Sequence, residues 1–243
     1  MATTVQPLLA HQHFALRRLH SLCGIVPIGV FLINHLLANS TAWLGEGHFN
    51  HHIELIHSLP WLVPIEVLFI FLPLAFHGIY GLVIAWQGKT NQGRYPYADN
   101  WRYTLQRVTA YITIVFVVVH LVHYRFAHWF GGGSYAAAHH DPGFFEFTWG
   151  GFDLLLPSWL WIAIYAIGLT AAVFHFCNGI VTFCITWGIV IGDNSRKRLS
   201  VIAGVLGVLL MLWGVLSLVA LGQTELPDTQ GPPHLAVVTH IAE

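Results

Sequence analysis

Five long runs of apolar residues, each interrupted at only a few polar positions, divide this chain. They cover approximately residues 18–43, 60–86, 102–129, 157–191 and 199–222. An α-helix needs roughly 20 apolar residues to cross a bilayer, so the pattern predicts five tilted membrane spans, numbered I to V. Pro27, Pro64 and Pro73 fall inside runs. A lipid-embedded bundle tolerates prolines because neighbouring groups satisfy the freed backbone, and here they are expected to mark kinks. Trp43, Trp61, Trp86, Trp101, Trp129 and Trp159 stand near the ends of runs, as an aromatic belt does. The expected architecture is an all-α membrane protein with one transmembrane domain over residues 1–243.

Composition sharpens this picture. The chain is 56% hydrophobic and 9% charged, against about 25% charged residues in ordinary soluble domains. The formal charge of -1 hides a strong segregation. Arg17 and Arg18 precede span I, Lys89, Arg94 and Arg102 lie between or border II and III, and Arg196, Lys197 and Arg198 join IV to V. With Arg107 in the first turns of III, only Arg125 falls at the opposite side. Glu46, Glu54, Asp141, Glu146, Asp153, Glu225 and Asp228 lie beyond the opposite ends. The positive-inside rule therefore predicts a cytoplasmic N-terminus and, after five crossings, an external C-terminus. Arg17 and Arg18 lead into a run too long for a signal peptide. Basic residues this sparse, and accounted for by topology, give no support to nucleic-acid binding.

Cys23, Cys177 and Cys184 are spaced unsuitably for a zinc or iron–sulfur site and read as small buried residues. His48, His51, His52 and His57 form a histidine-rich tract in the external I–II connection, with no complete ligand set legible. Residues 130–156, with Gly131–Gly133 and His139-His140-Asp141, are expected to form an external cap.

Four histidines lie deep within four different spans: His35, His77, His120 and His175. An ionisable group at bilayer depth is costly and marks a candidate functional site. At about 1.5 Å rise per residue, His35 and His120 each stand about 26 Å from the cytoplasmic ends of I and III, His77 about 14 Å up II and His175 roughly 18–20 Å up IV. Two depth classes follow, His77 with His175 and His35 with His120. Imidazole is the commonest axial ligand of haem, so the pattern points to two bis-histidine haems, an inner and an outer. Gly24, Gly29, Gly78, Gly81 and Gly179 leave room for a macrocycle or for a closely packed helix. His123, one turn from His120, competes for the outer position or for a propionate or quinone; His120 is preferred because it lies deeper. Haem propionates need donors near the interfaces. Arg17, Arg18, His20, Ser21 and Arg107 are candidates at the inner haem, and His123, Arg125 and His128 at the outer one.

The stretches Arg18-Leu19-His20-Ser21-Leu22 to Ile33-Asn34-His35-Leu36, Leu72-Pro73-Leu74-Ala75-Phe76-His77-Gly78-Ile79-Tyr80-Gly81, Gln106-Arg107 leading to His120, and Phe174-His175-Phe176-Cys177-Asn178-Gly179-Ile180 carry a family resemblance. They resemble the single-chain dihaem cytochrome b (b558) anchor of bacterial succinate:quinone oxidoreductases, over approximately residues 14–220. The resemblance implies a multi-pass subunit of the bacterial cytoplasmic membrane that holds two haem b groups. A FAD-containing flavoprotein and an iron–sulfur subunit are its implied partners, and a higher-order oligomer of the complex is compatible with it. Electrons would leave to a membrane quinone, menaquinone in many family members, and fumarate reductases look similar while running in reverse. Glu66, about two turns inside the outer start of span II, is the candidate for proton delivery to that quinone. Rival expectations are the anchor of another quinone-linked oxidoreductase, a histidine-lined transporter without haem, and a purely structural anchor.

Overall fold

The computed structural model describes the backbone of residues 5–126 and 158–222 and the side chains of residues 13–126 and 159–221. The 130–156 cap, His128, Trp129, Glu225 and Asp228 lie outside the described residues.

Among the described residues five helical stretches are long and apolar enough to cross a membrane: His13–Leu44, Leu62–Gln87, Ala98–Arg125, Trp159–Thr186 and Asp193–Leu221. These are the five expected spans, with shifted edges. Span IV stops at Thr186 rather than Ile191, and a turn with Gly188 at φ +70 ends it. Span V begins at Asp193 rather than near residue 199, so Arg196, Lys197 and Arg198 occupy its first turns instead of a linker. A helix leaves its first four N–H groups without intrahelical partners, and Asp193 there complements the positive end of the helix dipole. Span III likewise starts at Ala98, earlier than residue 102, and the helix carrying span I reaches back to Val5. The connection between spans I and II holds a helix at Glu46–His57 that hydropathy did not reveal, because it is too polar and short to register as a span.

Two of the three prolines coincide with departures from the α-helix, by different means, whereas Pro64 sits within the first helical turn of span II. Span I is divided into Val5–Ile25 and Pro27–Ser40, since Pro27 has no N–H to offer the carbonyl one turn earlier. In span II the chain widens instead. Residues Glu66–Phe71 form π-helical turns immediately before Pro73, with the Leu72 N–H reaching back to Val67. A second π-helical stretch, Leu121–Arg125, closes span III, and the Phe126 N–H bonds the Leu121 carbonyl at 2.8 Å.

Spans I, IV and V share the packed core. Leu36, Leu169, Val173, Phe176, Cys177, Val181, Ala203 and Leu210 are its buried members. Span III packs along IV, IV along V, and I along both II and V, whereas II and III touch sparsely. No residue between Ala98 and His120 is buried, and only Ala85 is buried in Leu72–Gln87. Spans II and III therefore face lipid on one side and a large interior space on the other. Small residues set the close contacts, as membrane helices require when lipid offers no hydrophobic drive to associate. A Cβ on Gly214 would lie 2.5 Å from the Leu169 side chain, and one on Gly168 would run into the Phe116 ring.

Gly168→Leu is accordingly expected to force III away from IV, with an overpacking penalty of about 1–3 kcal/mol. A lowered thermal unfolding midpoint in mild detergent checks this; an unchanged midpoint would show that the III–IV contact yields there without strain.

Candidate functional site

A cavity of about 2270 Å³ runs through the bundle, lined at one end by Arg17, Arg107 and Arg196 and at the other by Glu66 and Arg125. Typical small-molecule sites measure about 300–1,000 Å³, so this space accommodates more than one such group. His35, His77, His120 and His175 all line it.

The structure brings these histidines together in two pairs. His77 and His175 have ring centres 6.1 Å apart, and His35 and His120 5.7 Å apart, each pair near perpendicular. With metal–imidazole bonds of about 2 Å, an axial imidazole–metal–imidazole unit holds its ring centres roughly 6 Å apart. Both pairs have that spacing, and each draws its members from two different spans. The levels are separated along the bundle. Gly24 packs against His77 on span I, and His35 lies on the same span roughly 16 Å further along the helix.

At the level nearer the basic end, each imidazole is oriented by a backbone carbonyl. His77 Nδ1–H donates to the His20 carbonyl at 2.8 Å, and His175 Nδ1–H donates to the Gln106 carbonyl at 3.1 Å. Such bonds fix the tautomer and leave Nε2 with the lone pair a metal needs. A Cβ on Gly24 would stand 2.8 Å from His77 Nδ1, and one on Gly81 would stand 3.0 Å from His20 Nε2. Glycine at these two positions lets the rings lie flat against neighbouring helices. Gly29 performs the same service for Phe176. Gly78 and Gly179 have looser surroundings, where a Cβ would stand 3.7 Å from the Ile114 and Gln106 side chains. His20 itself stacks on His77 with ring centres 4.1 Å apart.

The second level is held differently. His120 Nδ1 lies 3.4 Å from the Tyr165 hydroxyl, and Asn39 donates to the His35 carbonyl at 2.7 Å. His123 is buried near the same hydroxyl: its Nδ1 is 3.0 Å from the Tyr165 hydroxyl and its ring stacks on Trp161 at 4.3 Å. The His120 ring faces that of His35, and the His123 ring, one turn further along the helix, stacks on Trp161.

The remaining predicted residues are distributed around the ends. Arg17 donates to Gln87 Oε1 at 2.7 Å, which ties the start of I to the end of II. Arg18 lies between the Phe14 and Trp187 rings, 4.7 and 4.8 Å from their centres. Ser21 accepts a hydrogen bond from Trp187 Nε1 at 3.0 Å and donates to the Arg18 carbonyl. Arg107 rests 3.4 Å over the Tyr103 ring and presses on Gly88. Arg17, His20, Ser21 and Arg107 line the cavity, whereas Arg18 does not figure among its walls.

Glu66 differs from expectation. Its surroundings are not solely apolar, because Arg125 Nη2 forms an ion pair with Glu66 Oε2 at 2.9 Å. The two π-helical stretches carry the two partners, and widened turns of this kind frequently accompany functional positions. An oppositely charged partner is what a carboxylate at membrane depth requires.

Sequence reading overlooked a polar chain made by Arg102, Asn178 and Gln106, which meets His175. Asn178 and Gln106 were visible as amides within apolar spans, but spacing alone did not reveal that they meet across III and IV. Among the described residues no three metal-ligating side chains converge, the His48–His57 tract included. Axial ligation of a haem needs only two, and the two pairs and the cavity fit such a group. The cysteines are free, with Cys177 buried and Cys23 and Cys184 half-buried.

No protein-family model matches the chain. It is 37% identical over 187 residues to the succinate dehydrogenase cytochrome b558 subunit of Bacillus subtilis strain 168, covering 77% of this chain and 86% of that protein. With five spans in place and a relative aligned over most of both lengths, this multi-pass membrane protein belongs to the family of succinate dehydrogenase cytochrome b558 subunits.

Proposed function

We propose that this chain anchors a succinate dehydrogenase in the membrane and links an iron–sulfur partner at its basic end to a quinone at the other end through two b haems. The observation that supports this most is the presence of two imidazole pairs, at two levels, in a single cavity spanning the bundle. His77 and His175 would hold the inner haem, and His35 and His120 the outer. When bound, such a group would supply one-electron transfer.

The protein's own residues do the rest. The carbonyls of His20 and Gln106 aim the inner imidazoles. Trp161 and Tyr165 keep His123 away from the axial position. Arg17, His20, Ser21 and Arg107, which line the basic end of the cavity, offer donors to propionates. The basic end faces the cytoplasm: Arg17, Arg18, Lys89, Arg94, Arg102, Arg107, Arg196, Lys197 and Arg198 gather there, and such charge retains loops on that side. A flavoprotein that oxidises succinate and the iron–sulfur subunit dock on that face, where positive potential steers an acidic partner. At the opposite end Glu66, held by Arg125 at the cavity wall, binds the proton that quinone reduction consumes. The acceptor is a menaquinone, in line with the family resemblance.

Two sets of variants test this reading. His77→Ala or His175→Ala is expected to remove one haem from the purified complex and His35→Ala or His120→Ala the other, read from pyridine haemochrome content. His123→Ala should retain both; loss of a haem there, with none lost in His120→Ala, would reassign the outer ligand. Glu66→Gln should leave the haem content intact and lower succinate:quinone turnover by about a hundredfold, the low end for a positioned acid–base group. Turnover unchanged in an intact complex would remove Glu66 from proton delivery.

A further inference from the structure

His175 differs from the other paired histidines in the depth of its polar support. Its ring donates to the Gln106 carbonyl, and the Gln106 side chain donates back to the His175 carbonyl at 3.0 Å. Spans III and IV therefore exchange two hydrogen bonds at this one point. The Gln106 amide is itself held, because Asn178 Nδ2 donates to Gln106 Oε1 at 2.7 Å. Asn178 is buried, and its own oxygen accepts from Arg102 Nε at 2.9 Å. Arg102 Nη1 reaches the Ser200 hydroxyl on span V at 3.1 Å.

Every amide in this chain has one orientation that satisfies both its ends. Arg102 can only donate, so the Asn178 oxygen must face it and the Asn178 nitrogen must face Gln106. Gln106 then presents its oxygen to Asn178 and its nitrogen to His175. The direction is dictated from the guanidinium inwards. The nearest carboxylate to Arg102 is Asp99, 3.9 Å away and almost fully exposed, so no tight ion pair draws the guanidinium out of the chain. A polar network in a low-dielectric interior is rigid when all its members are satisfied.

We propose that Arg102, Asn178 and Gln106 form a positioning relay that fixes the ring of His175 and thereby sets the reduction potential of the haem held there. This rests on the assignment of His175 as an axial ligand. A firm Nδ1–H bond to a carbonyl makes an imidazole a more electron-rich ligand, which favours ferric iron. Loosening the relay weakens that bond and raises the potential of the inner haem. A network that only pinned III to IV would change stability and leave the potential alone.

The test is potentiometric titration of the haems in the assembled complex, with low-spin electron paramagnetic resonance of the oxidised state. Asn178→Ala cuts the relay in the middle. Arg102→Lys keeps the charge but removes the Nε donor, and it carries the test alone if Asn178→Ala assembles poorly. Each is expected to retain both haems and shift the inner one toward the reduced form by about tenfold at fixed ambient potential, about 59 mV for one electron. The resonance of that haem should move with it, while the outer haem stays unchanged. The double variant should shift no further than either single, since residues in one network are not additive. An unchanged inner potential in either assembled variant, or an additive shift in the double, overturns the relay. His175→Ala separates the two levels of inference. Loss of one haem there upholds the ligand assignment even where the relay fails, and retention of both removes the assignment and the relay with it.

Discussion

A polar ring nitrogen placed at bilayer depth has no water to turn to, and the bundle is organised around supplying partners to imidazoles on four different spans. The backbone of spans I and III provides the inner carbonyls, and Tyr165 supplies a hydroxyl beside the outer pair. Because these partners come from neighbouring helices, the rings of His77, His175 and His120 are each held relative to two spans at once. Helices that enclose a broad flat group between them cannot also pack tightly on each other. The spans that share a histidine pair, II with IV and I with III, make little contact, whereas III packs along IV and I along II and V.

The ends of the bundle divide the remaining work. At the basic end, Arg17 is bonded to Gln87 and Arg18 is held by Phe14 and Trp187, which together tie spans I, II and IV at one level. At the far end, the sole cation on that side among the described residues, Arg125, is matched to Glu66. Basic side chains thus line one mouth of the cavity and an ion pair lines the other. Widened turns at Glu66–Phe71 and Leu121–Arg125 carry the two members of that pair. In span II the widening is the backbone's answer to Pro73, so a residue that removes a hydrogen bond locally is used to redirect a side chain.

The number of spans, the helix break at Pro27 and the grouping of the four histidines were all legible along single helices, from hydropathy, proline position and helical rise. What depended on contacts between helices was not. Depth could not separate His120 from His123, because their different ring partners, His35 and Trp161, lie on other spans. Glu66 read as an acid in apolar surroundings because its partner is distant in sequence, at Arg125. Arg102 was legible only as a topological charge, although its guanidinium starts the chain that ends at His175. The edges of IV and V were misplaced for a simpler reason. Hydropathy reports where the membrane ends, whereas Gly188 and Asp193 determine where the helix does.

A density map of the complete complex, purified in mild detergent, bears most directly on the central claim. Two porphyrins should lie in the cavity, one between His77 and His175 and one between His35 and His120, with the first nearer Arg102. A map showing lipid or water in that space, or an iron bound to His123 or bridging the two levels, would contradict it.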